Sequence, residues 1–574
     1  MSSHTWSRLK SFCLPAIVIL AVFAVVAWAA HSPVDWRAIN PVAATRSANQ
    51  RSPRSELPAA IGDADIRTTD IRNTVAAVDR WFEQGWHDAG VKPATSADDL
   101  QILRRLSLAL CGTIPSLEEI RGFESDASPD RLDRWTARLL ADNRFADYFA
   151  ERLARSFVGT EIGQAIIFRR DRFVDWLRQQ LSQNTPYDEI ARRVISETGL
   201  WTDHPATNYI TAAMADGELD ENKLAGRTAR AFLGQRIDCA QCHDHPFAEW
   251  KQVQFQGMAA LFGQTQSSIV GVEDKAQKKY EVEDRKTLKK HVVDPAVPFH
   301  PEWFPPTGTR RERMAAWVTH RQNRRFERAT VNRVWGLLFG KPLRSPVDDL
   351  PDPPEDGHKD VLDLVGADFR EHHCDLRRMI RVIVASRAFR LDSADDQPAP
   401  QAGKTPPAVA DGCPAAVFPM TRLRPEQLIG SILQATSLRT IDQKSHLFVR
   451  AKRYFQENEF VKQYGDLGDN ELDERSGTIS QALLRMNGKL ATEALAAEAL
   501  SATGRIANFA DTEETCVETC YLVVLTRRPT KAESDYFVPQ LARAQKSGEK
   551  GAHSQVVEDI FWSLFNSPEF SWNH

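Results

Sequence analysis

Two cysteines three positions apart, followed at once by a histidine, form the stretch with the most definite chemistry in this chain of 574 residues: Cys239-Ala240-Gln241-Cys242-His243. Thiols at that spacing can add to the two vinyl groups of a porphyrin while the adjoining imidazole takes the iron from one side, which is what covalent haem c requires. The next residues, Asp244-His245-Pro246, bring a second imidazole and then a stop for any helix. Cys239, Cys242, His243 and His245, with Asp244 beside them, therefore also make a compact ligand set for zinc or another divalent metal. A disulfide that staples the turn is a third use of the same thiols. A haem of this kind takes a second axial ligand, and Met258, fifteen residues past His243, offers a thioether. The competing reading of a Met beside Ala259, Ala260 and Leu261 is a core side chain. His204, in Asp203-His204-Pro205, is a more distant candidate.

Other side chains weigh toward structure. The arginines Arg321, Arg324, Arg325, Arg328 and Arg333 could take an anion, but Asp348, Asp349, Asp352, Glu355 and Asp356 follow closely, and internal pairing is the expected use. Asn332, between Val331 and Val334, is expected to belong to a buried polar network. Cys516 and Cys520, four apart on an apparent helix, are expected as half-buried packing residues. No G-x-S-x-G elbow, phosphate-cradling glycine loop or H-E-x-x-H occurs, so no residue is assigned a catalytic role.

The elements that must position these groups are helices. Ile102, Leu103, Leu106 and Leu110 recur at three and four residues, as do Leu132, Trp135, Leu139 and Leu140, and Phe173, Trp176, Leu177 and Leu181. Ser96 with Asp99, Ser116 with Glu119, and Thr530 with Glu533 have the spacing of capping boxes. Between 264 and 305, Tyr280, Val282 and Val292-Val293 point to one or two short strands in an irregular connector. The stretch 394–419, rich in Pro, Ala and Asp, reads as a low-complexity surface excursion.

At the amino terminus Arg8 and Lys10 precede an apolar run over 12–30 that closes with Ala27-Trp28-Ala29. Residues 1–30 are expected to be a signal peptide or a single membrane anchor, and 31–70 a flexible tether. The rest of the chain is then exported, to the periplasm or cell surface, the compartment in which bacterial haem c is attached. A formal charge of -4 leaves no basic field, so no nucleic-acid partner is expected. Eight cysteines are too sparse for a disulfide scaffold.

The run 103–116, Leu-Arg-Arg-Leu-Ser-Leu-Ala-Leu-Cys-Gly-Thr-Ile-Pro-Ser, and the run 232–247, Phe-Leu-Gly-Gln-Arg-Ile-Asp-Cys-Ala-Gln-Cys-His-Asp-His-Pro-Phe, resemble the planctomycete cytochrome-like domain PSCyt2, or DUF1549. Ser107, Ala109 and Cys111 stand where that family more often has Tyr, Asp and Thr. The run 329–340, Ala-Thr-Val-Asn-Arg-Val-Trp-Gly-Leu-Leu-Phe-Gly, resembles the companion domain PSD1, or DUF1553, as do Pro346-Val347-Asp348-Asp349 and Arg381-Val382-Ile383-Val384-Ala385-Ser386. There Cys374 stands where Trp is usual. The resemblance, with the periodicity, implies a mainly α, multi-helical two-domain protein: a helical domain over 71–263 carrying the CxxCH, the connector 264–305, and a second helical domain over 306–574. It implies a c-type-cytochrome-like protein that passes electrons to a redox partner through haem c. The alternative is a non-redox binding or scaffold module on a cell-surface polymer, with the Cys/His cluster holding a metal or disulfide. A metal-dependent enzyme on extracellular polymers is the weaker third reading.

Overall fold

Apolar residues at helical spacing fold as helices through most of the described residues, seen in a computed structural model. It describes residues 61–574 except 161–167, 216–217, 247–248, 269, 284–287, 355–358, 394–414, 466–467, 469–471, 473–477 and 488–500. The apolar run 12–30 and the tether up to residue 60 lie outside the described residues. Among the described residues no helix is long and apolar enough to cross a membrane.

The first helices are α1 (Ile61–Asp88), α2 (Asp99–Cys111), α3 (Leu117–Glu124), α4 (Arg131–Ala141), α5 (Asn143–Val158), α6 (Arg170–Ser182) and α7 (Tyr187–Ser196). A small hairpin, β1 (Met214–Ala215) with β2 (Glu218–Leu219), precedes α8 (Glu221–Thr228), and α9 (Gln252–Leu261) follows. The connector holds two antiparallel pairs, β3 (Thr265–Ser268) with β4 (Gly271–Asp274), and β5 (Glu281–Glu283) with β6 (Lys290–Val292). Then come α10 (Arg310–Val318), α11 (Arg324–Phe339), α12 (Val361–Glu371), α13 (Leu376–Ala385), α14 (Pro425–Ala435), α15 (Leu447–Tyr464) and α16 (Ile479–Asn487). Next are α17 (Ala502–Phe509), α18 (Glu513–Leu525), α19 (Lys531–Ser547) and α20 (Ala552–Asn566); a last helical turn, Pro568–Ser571, leads into β8 (Trp572–Asn573), which returns to pair with β7 (Thr421–Arg422). The protein is mainly α, and its strands are short antiparallel pairs.

Local chemistry explains most helix starts. Ser116 and Glu119 exchange side-chain and backbone hydrogen bonds at α3, and Thr530 and Glu533 do the same at α19. The box expected from Ser96 and Asp99 does not form. Asp98 caps α2 instead, accepting from the Leu100 amide, while Ser96 pairs with Leu391 as an isolated bridge. Cys516 and Cys520 are fully buried in α18 rather than half-buried.

Asp65–His574 packs as one unit around a single core. Arg104 and Arg105 of α2 are fully buried and reach carbonyls far along the sequence: Val524 and Phe570 for the first, Phe389, Leu391 and His574 for the second. Phe418, inside the stretch expected as a surface excursion, is fully buried, stacks on Phe339 and lies 3.8 Å beneath the Arg105 guanidinium. Residues 394–414 of that stretch are outside the described residues.

Candidate functional site: the CxxCH loop

The loop begins where α8 ends. Its last turn widens into a π-helical turn, Ala229–Leu233, capped by Gly234 with a left-handed backbone. A β-carbon at Gly234 would come within 3.1 Å of both Ala329 and Leu350, so the chain turns there against α11 and the 346–350 strand of loop. That loop holds the next residues by their backbone and side chains. The Leu350 amide donates to Gly234 O (2.7 Å), Gln235 Nε2 donates to Leu350 O (2.5 Å), and Arg236 pairs with Asp348 (2.7 Å). The loop is itself fixed by Asn332, fully buried on α11, which donates to the carbonyls of Arg344 and Val347 and accepts from the Arg344 amide. Asn332 thus belongs to the structural network expected of it.

From this strap the chain enters a single 3-10 turn, Asp238–Gln241. Ile237 and Ala240 are fully buried, and Cys239, Cys242 and His243 are exposed. The small residue between the thiols presses the turn onto the core, which leaves both thiols in solvent. Close packing behind the turn has its own requirement: a β-carbon on Gly226 of α8 would meet Asp238 Oδ1 at 2.6 Å. The thiols are not joined in a disulfide.

The far side of the loop is tied to α9. Asp244 Oδ1 accepts from the Gln252 amide (3.0 Å) at the start of α9, and its other oxygen lies 3.2 Å from Lys251 Nζ. The Gln252 amide first, and Lys251 second, hold the Asp244 carboxyl below its usual range. Gln252 Nε2 donates to Gln241 O, and the His245 amide to Trp250 O, closing the loop. Trp250 Nε1 donates in turn to Gln235 Oε1 (3.1 Å). The Asp244 carboxyl thus ties the loop to the first turn of α9.

The His243 ring is fixed by its own loop. Its Nδ1 lies 2.7 Å from the Asp244 carbonyl oxygen, which can only accept, so Nδ1 carries the proton and Nε2 the lone pair when the ring is neutral. His245 is half-buried in the same loop. Among the described residues, Cys239, Cys242, His243 and His245 are not drawn together as a set of converging ligands. Met258 is fully enclosed in the core with Phe255, Ala259 and Leu261, away from solvent, in contrast to the exposed thiols. His204 is held by Glu197 (3.0 Å) and packs on Gly199.

Three of the five clustered arginines pair internally, two of them with acids that lie further on than expected. Arg324 meets Asp363 (2.6 Å) and Arg328 meets both Asp360 (3.1 Å) and Asp363 (2.5 Å), while Arg325 takes Asp352 (2.6 Å). A second group escaped sequence reasoning: Asp70, Asp368 and His372, whose ligand atoms do converge. Arg378 stands among them, 2.7 Å from each aspartate, and Thr74 donates to Asp368. The guanidinium supplies the positive charge that a metal would, so the group reads as an ion-pair staple between α1, α12 and α13. The i, i+4 spacing of Asp368 and His372 was its only sequence signal.

Fold and site together define a mainly α protein that presents a CxxCH loop on its surface. Residues 77–267 match the family model PSCyt2, a protein of unknown function (DUF1549), and residues 310–464 match PSD1, a protein of unknown function (DUF1553). The chain belongs to the PSCyt2–PSD1 two-domain proteins. No curated protein and no solved structure matches it significantly.

Proposed function

We propose that this chain is an exported c-type-cytochrome-like protein in which Cys239 and Cys242 hold haem c through thioethers and His243 Nε2 is the axial ligand. The observation that carries the reading is the hydrogen bond from His243 Nδ1 to the Asp244 carbonyl, which sets the tautomer and ring direction a metal-ligating histidine needs. Exposed thiols outside any disulfide support it, since each must add its S–H to a vinyl group. When bound, haem supplies reversible one-electron chemistry. The chain's own residues fix the attachment turn through Ala240 and Ile237, hold the imidazole through Asp244, and keep the loop rigid through Asn332 and the 346–350 strap. The ligand-set reading for zinc has less support, because the four candidate side chains do not converge. Met258 joins the ligands only by leaving the core.

The test is to export the protein in the presence of haem-maturation factors, denature it in alkaline pyridine and record the reduced spectrum. A covalent haem c band that is lost in the Cys239→Ala/Cys242→Ala double variant is the expected result. Protein without haem and with stoichiometric zinc by elemental analysis sinks the proposal in favour of the metal-bound binding module.

A further inference from the structure

A cleft of about 350 Å³ opens between α1, α4 and α13, with Arg390 at its edge. Its volume lies at the lower end of the range for small-molecule sites. It forms where the segment matched by PSCyt2 meets the segment matched by PSD1, a seam that neither matched description assigns to a ligand. One part of the wall is apolar, made by Ile71, Val75, Ala76, Ala137 and Val384.

The polar part leaves one arginine unpaired. Four arginines, Arg72, Arg134, Arg381 and Arg390, face three aspartates, Asp79, Asp130 and Asp133. Arg390 pairs with Asp133 (2.8 Å), Arg134 pairs closely with Asp126 and more loosely with Asp130 (3.6 Å), and Asp79 accepts from the Arg387 amide (2.7 Å). Arg381 makes no ion pair or hydrogen bond with any described residue, and Arg72 acts on Asp130 only at longer range. Arg390 Nε is buried without a partner. Burial pushes the Asp79 carboxyl upward, against the Arg387 amide that it accepts from.

We infer that this cleft binds a small monocarboxylate with an apolar body, its carboxylate taken by the Arg381 guanidinium and its hydrocarbon laid against Val75, Ala76 and Val384. The carboxylates Asp79, Asp126, Asp130 and Asp133 offset the cleft's arginine charge in number, so the unpaired Arg381 guanidinium beside an apolar wall suits a single carboxylate better than a cation or a phosphate dianion. Arg381 belongs to the PSD1-like run Arg381-Val382-Ile383-Val384-Ala385-Ser386, and its neighbours Val382 and Ile383 are core while Arg381 itself is left without a partner. The site is independent of the CxxCH loop and of whatever that loop carries.

Calorimetric titration of the full-length protein tests it, with octanoate, octylamine and inorganic phosphate as probes. Octanoate is expected to bind saturably at one site and the other two not at all. Arg381→Gln is expected to weaken octanoate at least about tenfold, the loss of one charge-assisted hydrogen-bond pair. Ala76→Trp, which fills the cleft from an exposed position, is expected to abolish binding, and Arg543→Gln on α19 to leave it unchanged. Thermal melts confirm that the variants are folded. The inference is overturned by absence of saturable octanoate binding, by equal binding of octylamine or phosphate, or by affinity that survives either cleft substitution.

Discussion

A thiol reacts as its thiolate, and making a thiolate costs more the less water surrounds it. Burial pushes the Cys111 thiol up to about 12 and the Cys520 thiol well above its ordinary value, the latter also through Cys516. Cys239 and Cys242 are exposed. Brief treatment of the native, haem-free protein with iodoacetamide should therefore label Cys239 and Cys242, while Cys111, Cys516 and Cys520 react only after denaturation. Peptide mass spectrometry reads each site, and comparable labelling of the buried three would contradict the placement of the loop. Asn332 makes the second residue-scale test. It is fully buried and pairs three backbone groups, so Asn332→Ala strands them and should cost about 3 kcal/mol in denaturant unfolding. The same variant should raise amide exchange at 346–350, the strap behind the CxxCH loop; protection unchanged there would mean the strap does not depend on Asn332. The buried role of Asn332 was readable from residue type and neighbours alone. The contact of Asp244 with the Gln252 amide was not, because it depends on α9 starting eight residues further on.

Helix ends show where local signals suffice. The boxes at Ser116 and Thr530 were legible because every partner lies within three residues, and Ser116→Ala should cost about 1 kcal/mol by the loss of one such cap. The start of α2 was misread by two residues, since Asp98 competes for the cap and Ser96 is drawn away to Leu391, nearly three hundred residues on. The π-helical turn before Gly234 left no periodic trace at all. Acid sensitivity belongs to this scale as well. At the start of α19, Arg527 pairs with Glu533 (2.9 Å) and Glu569 (2.5 Å), and hydrogen bonds from Arg527, then the Thr530 amide, hold the Glu533 carboxyl down at about 2. A depressed carboxyl contributes stability that is fully present above its unfolded value, near 4.5, and is lost as pH falls through about 2. Solvent screening limits the contribution to about 1 kcal/mol or less. Denaturant midpoints measured from neutral pH down to pH 2 should fall less in Glu533→Gln than in the parent chain, and parallel curves would remove Glu533 from the account.

At the scale of the molecule, the two matched segments are divided by sequence yet held in one core. Periodicity within a helix reports which face is buried and is silent about what covers it. That is why the mainly helical class was legible while the joining of the segments was not. Arg105 carries that joining most directly. It sits in α2, fully buried, and its guanidinium donates to Leu391 O (2.6 Å), Phe389 O (3.0 Å) and His574 O (2.7 Å), carbonyls 286, 284 and 469 residues away. Burial, opposed by the charge of Asp392, draws its pKa down to about 9, which leaves the guanidinium charged at neutral pH over the Phe418 ring and its three carbonyl acceptors. Arg105→Met keeps the bulk of the side chain and leaves three carbonyls without a donor, at a cost of about 3–5 kcal/mol. If the core is shared, tryptophan fluorescence and far-ultraviolet circular dichroism should trace one coincident transition for residues 65–574, and Arg105→Met should lower both by the same amount. If instead the segments are separable, the variant should split the two probes, with the PSCyt2 segment melting apart from the rest. Coincident curves before and after the substitution bind the CxxCH loop's stability to residues at the far end of the chain, because the strap at 346–350 and the helix under Arg105 then unfold in the same event.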